Sequence, residues 1–221
     1  MSPRRRDVRF QRTQVAQLAA RLLVEGSVQN FGLAKQKAAA ALAATASDDL
    51  PDNLALLAAL IDYQQLFDRT ALPIRNERLR RAALSAMRFF QEFEPRLHGP
   101  ILYGTSLRFS AVGLHLFEDD VEKLSRYLIN HRIQYRLSES RLRAHKQDAA
   151  SHPRFELSRD GIDFELTLLP RSRLKQPLIN PLNAAPYRYL DYAQLAALLA
   201  RDPGGYCLDG LNLGVSGHMG S

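Results

Sequence analysis

A single cysteine, Cys207, stands among 221 residues. One thiol allows no intrachain disulfide and no cysteine-built zinc site, and it suits a reducing, cytoplasmic setting. No apolar run approaches the roughly 20 residues that a membrane span needs, so no membrane association is expected. The opening run MSPRRRDVRFQR is basic, but no apolar stretch follows it, so a secretory signal is not expected. Acids are outnumbered, 23 against 30 lysines and arginines, and the net charge is +7. That balance permits a nucleotide or nucleic-acid partner on a basic surface without requiring one. Charges scattered on helix faces are commonly just solvated surface.

What is present is ordinary for a globular chain, with 46% hydrophobic and 24% charged residues. The length suits one sizeable core or two small domains. The expected division is a helical region over 1–94, an α/β domain with a C-terminal strap and helix over 95–202, and a tail over 203–221. In the helical region Val15, Leu18, Leu22 and Leu23 recur at helical spacing from Arg12 to Glu25, and Gly26 suits the end of that helix. A second helix is expected from Gly32 to about Ala44. A third starts after Asp52 as N-cap, with Leu57, Leu60 and Ile61 as its stripe. A fourth runs from Arg75 to Phe93, before Pro95. The first two helices resemble the opening of TetR-type DNA-binding domains, which implies a helix in a DNA groove. Asp48, Asp49 and Asp52 at the start of the third helix would repel phosphate. A bundle packed for structural reasons is the competing reading.

After Pro95 the pattern changes. Ile101 to Tyr103 forms a short apolar run consistent with a buried strand, and Ala111 to Phe117 alternates as a second strand. Asp119 and Asp120 suit the start of a helix reaching Arg132. Ile133 to Leu137 and Arg141 to His145 read as a strand pair. Phe155 to Arg159 and Ile162 to Leu169 flank Asp160-Gly161, the turn chemistry of a type I′ hairpin.

The run LYGTSLRFSAVGLHLF, with the hairpin strand IDFELTLLP after it, resembles the core of the nucleotidyltransferase superfamily, the fold of DNA polymerase beta. The resemblance spans His98 to Pro170. It implies an α+β protein, an N-terminal helical bundle followed by a nucleotidyltransferase-like mixed β-sheet with helices. It also implies a phosphate-binding turn at Gly104, Thr105 and Ser106, with Ser110 before the catalytic strand. The family's two metal-binding aspartates fall on Ala111 and Gly113, which cannot bind a metal. Glu165 or Asp163 stands where the third catalytic carboxylate belongs. His115 and Glu165 remain as a reduced metal site, with Mg²⁺ implied only if the protein is active. The alternative for His115 is a hydrogen-bonded histidine on a half-exposed sheet face, paired across to an acid. The expected function is therefore a degenerate nucleotidyltransferase-like protein that binds a nucleotide or phosphorylated partner. A nucleic-acid-binding regulator, an active transferase with a reduced metal site and a protein adaptor are the alternatives.

Arg136, Arg141, Arg143, His145 and Lys146 form a dense basic stretch, and Arg171, Arg173 and Lys175 follow the hairpin. Arg141 and Arg143 would face the same way and bind phosphate, or they guard an edge strand against aggregation. Pro170 to Pro186 reads as an ordered strap, because its prolines exclude regular structure while Leu174, Leu178, Ile179 and Leu182 call for burial. A last helix is expected from Asp191 to Arg201. The ending SGHMGS reads as a cloning remnant, and His218 is set aside with it.

Overall fold

A computed structural model of the chain describes residues 3–43, 50–145, 148–176, 178–209 and 211. Asp48, Asp49, Lys146, the side chain of His145 and the ending with His218 lie outside the described residues. Among those described, seven α-helices and one five-stranded mixed sheet make an α+β protein. None of these helices is long and apolar enough to cross a membrane. The chain forms two compact units.

The first unit takes the described residues within Met1–Leu72, Leu107–Phe109 and Leu208–Ser221. It holds α1 (Pro3–Val24), α2 (Phe31–Ala41) and α3 (Asn53–Phe67). Helix α1 is longer than its apolar stripe suggests, because arginine is a good helix former and extends it backwards from Arg12. Its buried face, Val15, Ala16, Ala19, Ala20 and Leu23, is rich in alanine and lets neighbouring helices approach closely. Gly26 ends the helix at φ +81°, and a Cβ there would lie 2.7 Å from the Phe109 ring. Asn30 and Asp52 cap α2 and α3 by accepting from the Leu33 and Ala55 N–H groups at 2.8 and 2.7 Å. The acid at position 52 thus serves its own helix.

The second unit takes Pro73–Ser106 and Ser110–Cys207. Helix α4 (Ala71–Phe89) starts before Arg75, and the chain tightens into a 3₁₀ turn at Gln91–Phe93 where a continuous helix was expected. The sheet has the order β1-β2-β5-β4-β3. Strands β1 (Arg96–Leu97) and β2 (Val112–Phe117) are antiparallel, β5 (Ile162–Leu169) runs parallel to β2, and β4 (Asp148–Arg159) joins β5 to β3 (Arg136–His145), antiparallel to both. The crossover from β2 passes through α6 (Val121–Asn130), N-capped by Asp120. Tyr127 of α6 packs on Phe89, Phe90 and Phe93 and donates to the Phe89 carbonyl at 2.7 Å.

Three expectations need correction. Ile101 to Tyr103 is not a strand. It lies in the one-turn helix α5 (Pro100–Tyr103), begun by Pro100 and ended by Gly104 at φ +77°. Three apolar residues carry no period, so Pro100 at the first helical position decides. The two short strands after α6 are one, β3. Strand β4 begins at Asp148, well before Phe155. Pro153 conceals it, and the fold tolerates that proline because β4 pairs with β5 only from Arg154 onward. The hairpin turn follows expectation, with Asp160 and Gly161 at φ +53° and +68°.

One face of the central strands is apolar: Val112, Leu114, Leu116, Phe155, Leu166 and Leu168 are all buried. On the other face lie Gly113, His115, Phe117, Arg154, Glu165, Thr167 and Leu169. The strap following Pro170 covers part of it, with Leu178 packed on Phe117 and Leu169 beside Leu142, Leu174 and Tyr187. Ile179 donates its N–H to the Arg143 carbonyl at 2.7 Å, and Leu190 exchanges N–H···O bonds with Leu97. Helix α7 (Tyr192–Arg201) follows, with a capping box between Asp191 and Gln194.

The start of this unit grips its end. Asn76 donates to the carbonyls of Gly104 and Gly204 at 2.7 and 2.8 Å. Arg80, fully buried, donates to the carbonyls of Ile101, Leu102 and Pro203 at 3.0–3.2 Å. Burial lowers the pKa of its guanidinium, and these carbonyls supply the solvation that water would otherwise give.

Candidate functional site

The register of β2 against β5 sets Gly113 beside Glu165 and His115 beside Thr167. Strand β4 then brings Arg154 opposite Thr167 and Glu156 opposite Glu165. His98, one residue beyond β1, donates its N–H to the Gly113 carbonyl at 3.2 Å. Its ring lies over Gly113, and a Cβ there would come 3.0 Å from His98 Cε1. The space that a side chain at position 113 would enter is filled by an imidazole.

His115 is buried, at 1% exposure. This corrects the half-exposed face expected for it, and its partner is not an acid. Its Nδ1 is 2.9 Å from the Tyr189 hydroxyl. The His98 ring centre is 4.0 Å away, and Tyr187 and Tyr189 lie at 5.2 and 5.5 Å. Burial, followed by the fields of His98, His152 and Arg154, holds the His115 imidazole well below its ordinary pKa. Burial and Arg154 push His98 down to about 4. His152, also buried, is lowered by burial and by Arg173. All three are neutral at physiological pH. Burial pushes Tyr187 up to about 12 and raises Tyr189 further, so both remain hydroxyl donors.

Arg154 anchors the polar face. One terminal nitrogen donates to Ser140 Oγ at 2.9 Å, and another lies 3.4 Å from Glu165 Oε2. Glu165 is about half exposed and Asp163 is exposed. Glu156 is held below its ordinary pKa by Ser138 and Arg136, which both hydrogen-bond to it. Glu165 and His115 share a face, yet His115 spends Nδ1 on Tyr189. Among the described residues no group of three or more His, Cys, Asp or Glu side chains is arranged to hold a metal ion.

The Gly104-Thr105-Ser106 turn is turned inward. Thr105 and Ser106 are buried. The Thr105 N–H donates to the Pro100 carbonyl at 3.0 Å, Ser106 Oγ donates to Asn76, and Arg75 donates to the Ser106 carbonyl at 2.9 Å. These hydrogen bonds hold the turn together. Ser110 is half-buried just before β2. Arg141 and Arg143 are exposed on β3, opposite Ser151 and Ala149. Their alternation places them on the other face of the sheet from His152 and Arg154, so the structure does not bring them to the imidazole cluster.

His98, His152, Arg154, Tyr187 and Tyr189 were not legible as site residues. The alternation of His152 and Arg154 was a usable signal once Pro153 is allowed within a strand. The tyrosines sit in a strap without period, and nothing local marks them. No family model, no curated protein and no solved structure matches this chain.

Proposed function

We propose that the second unit is a nucleotidyltransferase-like binding module for a nucleotide or another phosphorylated ligand, working without two-metal chemistry in a reducing cytoplasm. The order of elements supports this reading. A helix, a short strand, the one-turn helix α5 and β2 are followed by α6 and three antiparallel strands, the last of which, β5, returns parallel to β2. Glu165 beside Gly113 matches the family's placement of a third carboxylate next to the catalytic strand. The observation that carries the binding-only reading is the His98 ring over Gly113. It fills the place where a metal-binding aspartate would project, while Ala111 offers no carboxylate either. The buried Cys207 thiol is compatible with a reducing compartment.

A thermal-shift panel of nucleoside triphosphates, each with and without Mg²⁺ or Mn²⁺, tests the proposal. A ligand at 100 times its dissociation constant adds about 2.7 kcal/mol to the native state. The expected result is a shift that does not depend on metal. A shift that appears only with metal would favour an active transferase using Glu165 and His115. No shift with any nucleotide refutes the nucleotide reading. Arg141 and Arg143, both exposed on one face of an edge strand, favour a second reading, a nucleic-acid surface. Its mark is an affinity that falls steeply with salt and weakens on Arg141→Ala.

A further inference from the structure

In the first unit, α1 and α3 border an open groove of about 450 Å³. Helix α1 contributes Gln14, Gln17, Leu18 and Arg21 to it, and α3 contributes Ala59, Asp62, Tyr63 and Leu66. Both sets have the spacing i, i+3, i+4, i+7, so each is one stripe about 10 Å long on its helix. Leu42, the C-cap residue of α2, joins them. Leu18, Ala59 and Tyr63 are half-buried, whereas Leu66 is 73% exposed. The apolar surface continues past the groove. Phe10 stands one turn before Gln14 on the α1 stripe, and Phe67 stands one turn beyond Tyr63 on α3, with the Tyr63 and Phe67 ring centres 4.5 Å apart. Phe10 and Phe67 are 65% and 68% exposed. Large apolar side chains left in water along two neighbouring stripes mark an interaction surface. Two helix stripes flanking a trough receive a third helix, whose side chains at i, i+3, i+4 and i+7 fill the space between them. A small ligand confined to the groove would leave Phe10 and Phe67 in water.

The charges select the kind of helix. Arg21 donates to Glu25 at 2.7 Å, and the Tyr63 hydroxyl donates to the same carboxylate at 3.5 Å, so the Arg21 charge is compensated. Asp62 has no ion pair or hydrogen bond among the described residues. The groove therefore presents one uncompensated carboxylate on a chain whose net charge is +7. We infer that this groove takes an amphipathic helix of a partner protein, about two to three turns long, with leucine-like side chains on its apolar face and a lysine or arginine on the flank that meets Asp62. The site lies within the first unit and is independent of the nucleotide reading of the second.

Fluorescence anisotropy of the full chain with two labelled synthetic helices tests this. One is a leucine–lysine amphipathic peptide and the other its leucine–glutamate counterpart, each about 20 residues long so that it can be helical in isolation. The net charge of the chain favours the acidic peptide and Asp62 favours the basic one, so tighter binding of the basic peptide is the expected and discriminating result. Leu66→Ser should weaken that binding about tenfold, and the exposure of Leu66 means that the core is left intact. Asp62→Asn should weaken it about threefold, as expected of an exposed ion pair, and should not weaken the acidic peptide. In ¹⁵N spectra the basic peptide should move the amides of residues 14–21 and 59–66. No binding of the basic peptide, equal or tighter binding of the acidic one, binding that Leu66→Ser leaves unchanged, or shifts confined to other residues overturns the inference. Self-association of the chain that Leu66→Ser abolishes also overturns it, because a second copy then fills the groove. A nucleotide panel without response leaves this inference standing, and failed peptide binding leaves the nucleotide reading standing.

Discussion

Acidification should unload the fold through His98. Its imidazole titrates near 6.5 in the unfolded chain and at about 4 in the folded one. Between those values the unfolded state binds the extra proton, so stability is complete above about pH 6.5 and declines as pH falls toward 4. Moving from pH 7 to pH 5 costs about 2 kcal/mol from this one group. With a urea slope of about 2 kcal/mol per molar, the midpoint should drop by about 1 M. His115 and His152 are lowered as well and add in the same direction. The lowered carboxylates of Glu118 and Glu156 also lose stabilisation as they protonate on acidification. The informative quantity is therefore the difference between the wild type and His98→Gln, since the carboxylates are common to both. Urea unfolding at the two pH values, followed by the near-ultraviolet signal of the tyrosines, gives that difference. Equal pH dependence in the two proteins, or a His98 NMR titration midpoint near 6.5, would falsify the argument that burial and Arg154 keep this ring neutral.

Arg80→Met should remove at least about 3 kcal/mol of stability, because the carbonyls of Ile101, Leu102 and Pro203 lose their donor; chemical denaturation showing a loss below 1 kcal/mol refutes the clamp. Gly113→Ala should cost about 1–3 kcal/mol by pressing on His98, and a neutral melting temperature would mean that the ring has room to move. Gly161→Ala, at φ +68°, should destabilise the hairpin by about 1 kcal/mol, measured as a shift in urea midpoint. Asp191→Ala should remove about 1 kcal/mol through loss of the α7 cap, and local hydrogen exchange at Ala193 to Leu195 would report it.

The parts of the fold that the sequence disclosed are those governed by neighbours in the chain. Asp52, Asp120 and Asp191 cap helices because a side-chain oxygen reaches an N–H two or three residues on. Asp160-Gly161 turns because both residues tolerate positive φ. The strap was legible because its leucines had no other place to go, and Leu178 is indeed buried. The candidate site was mostly illegible, because it is made by partners far apart in sequence. Arg154 meets Glu165 across two strands, and His115 meets Tyr189 across 74 residues. Gly104 and Thr105 show the opposite case, a turn whose long-range partners no local pattern announces. Their residue types suit a phosphate, but Asn76 and Arg75 reach that turn first.

The grip of α4 on the chain's last described turns bears on how this unit comes apart. Asn76 holds Gly204, Arg80 holds Pro203, and the Cys207 N–H donates to the Tyr103 carbonyl at 3.0 Å. A terminal segment ordinarily frays first, independently of the interior. Here peeling residues 203–207 away would leave Arg80 and Asn76, both buried, each short of one carbonyl acceptor. The first and last segments of the unit are therefore thermodynamically one element. Their amides should exchange with solvent together, at the rate of global opening, and a chain cut before Asp202 should lose α5 and α4 along with the residues removed.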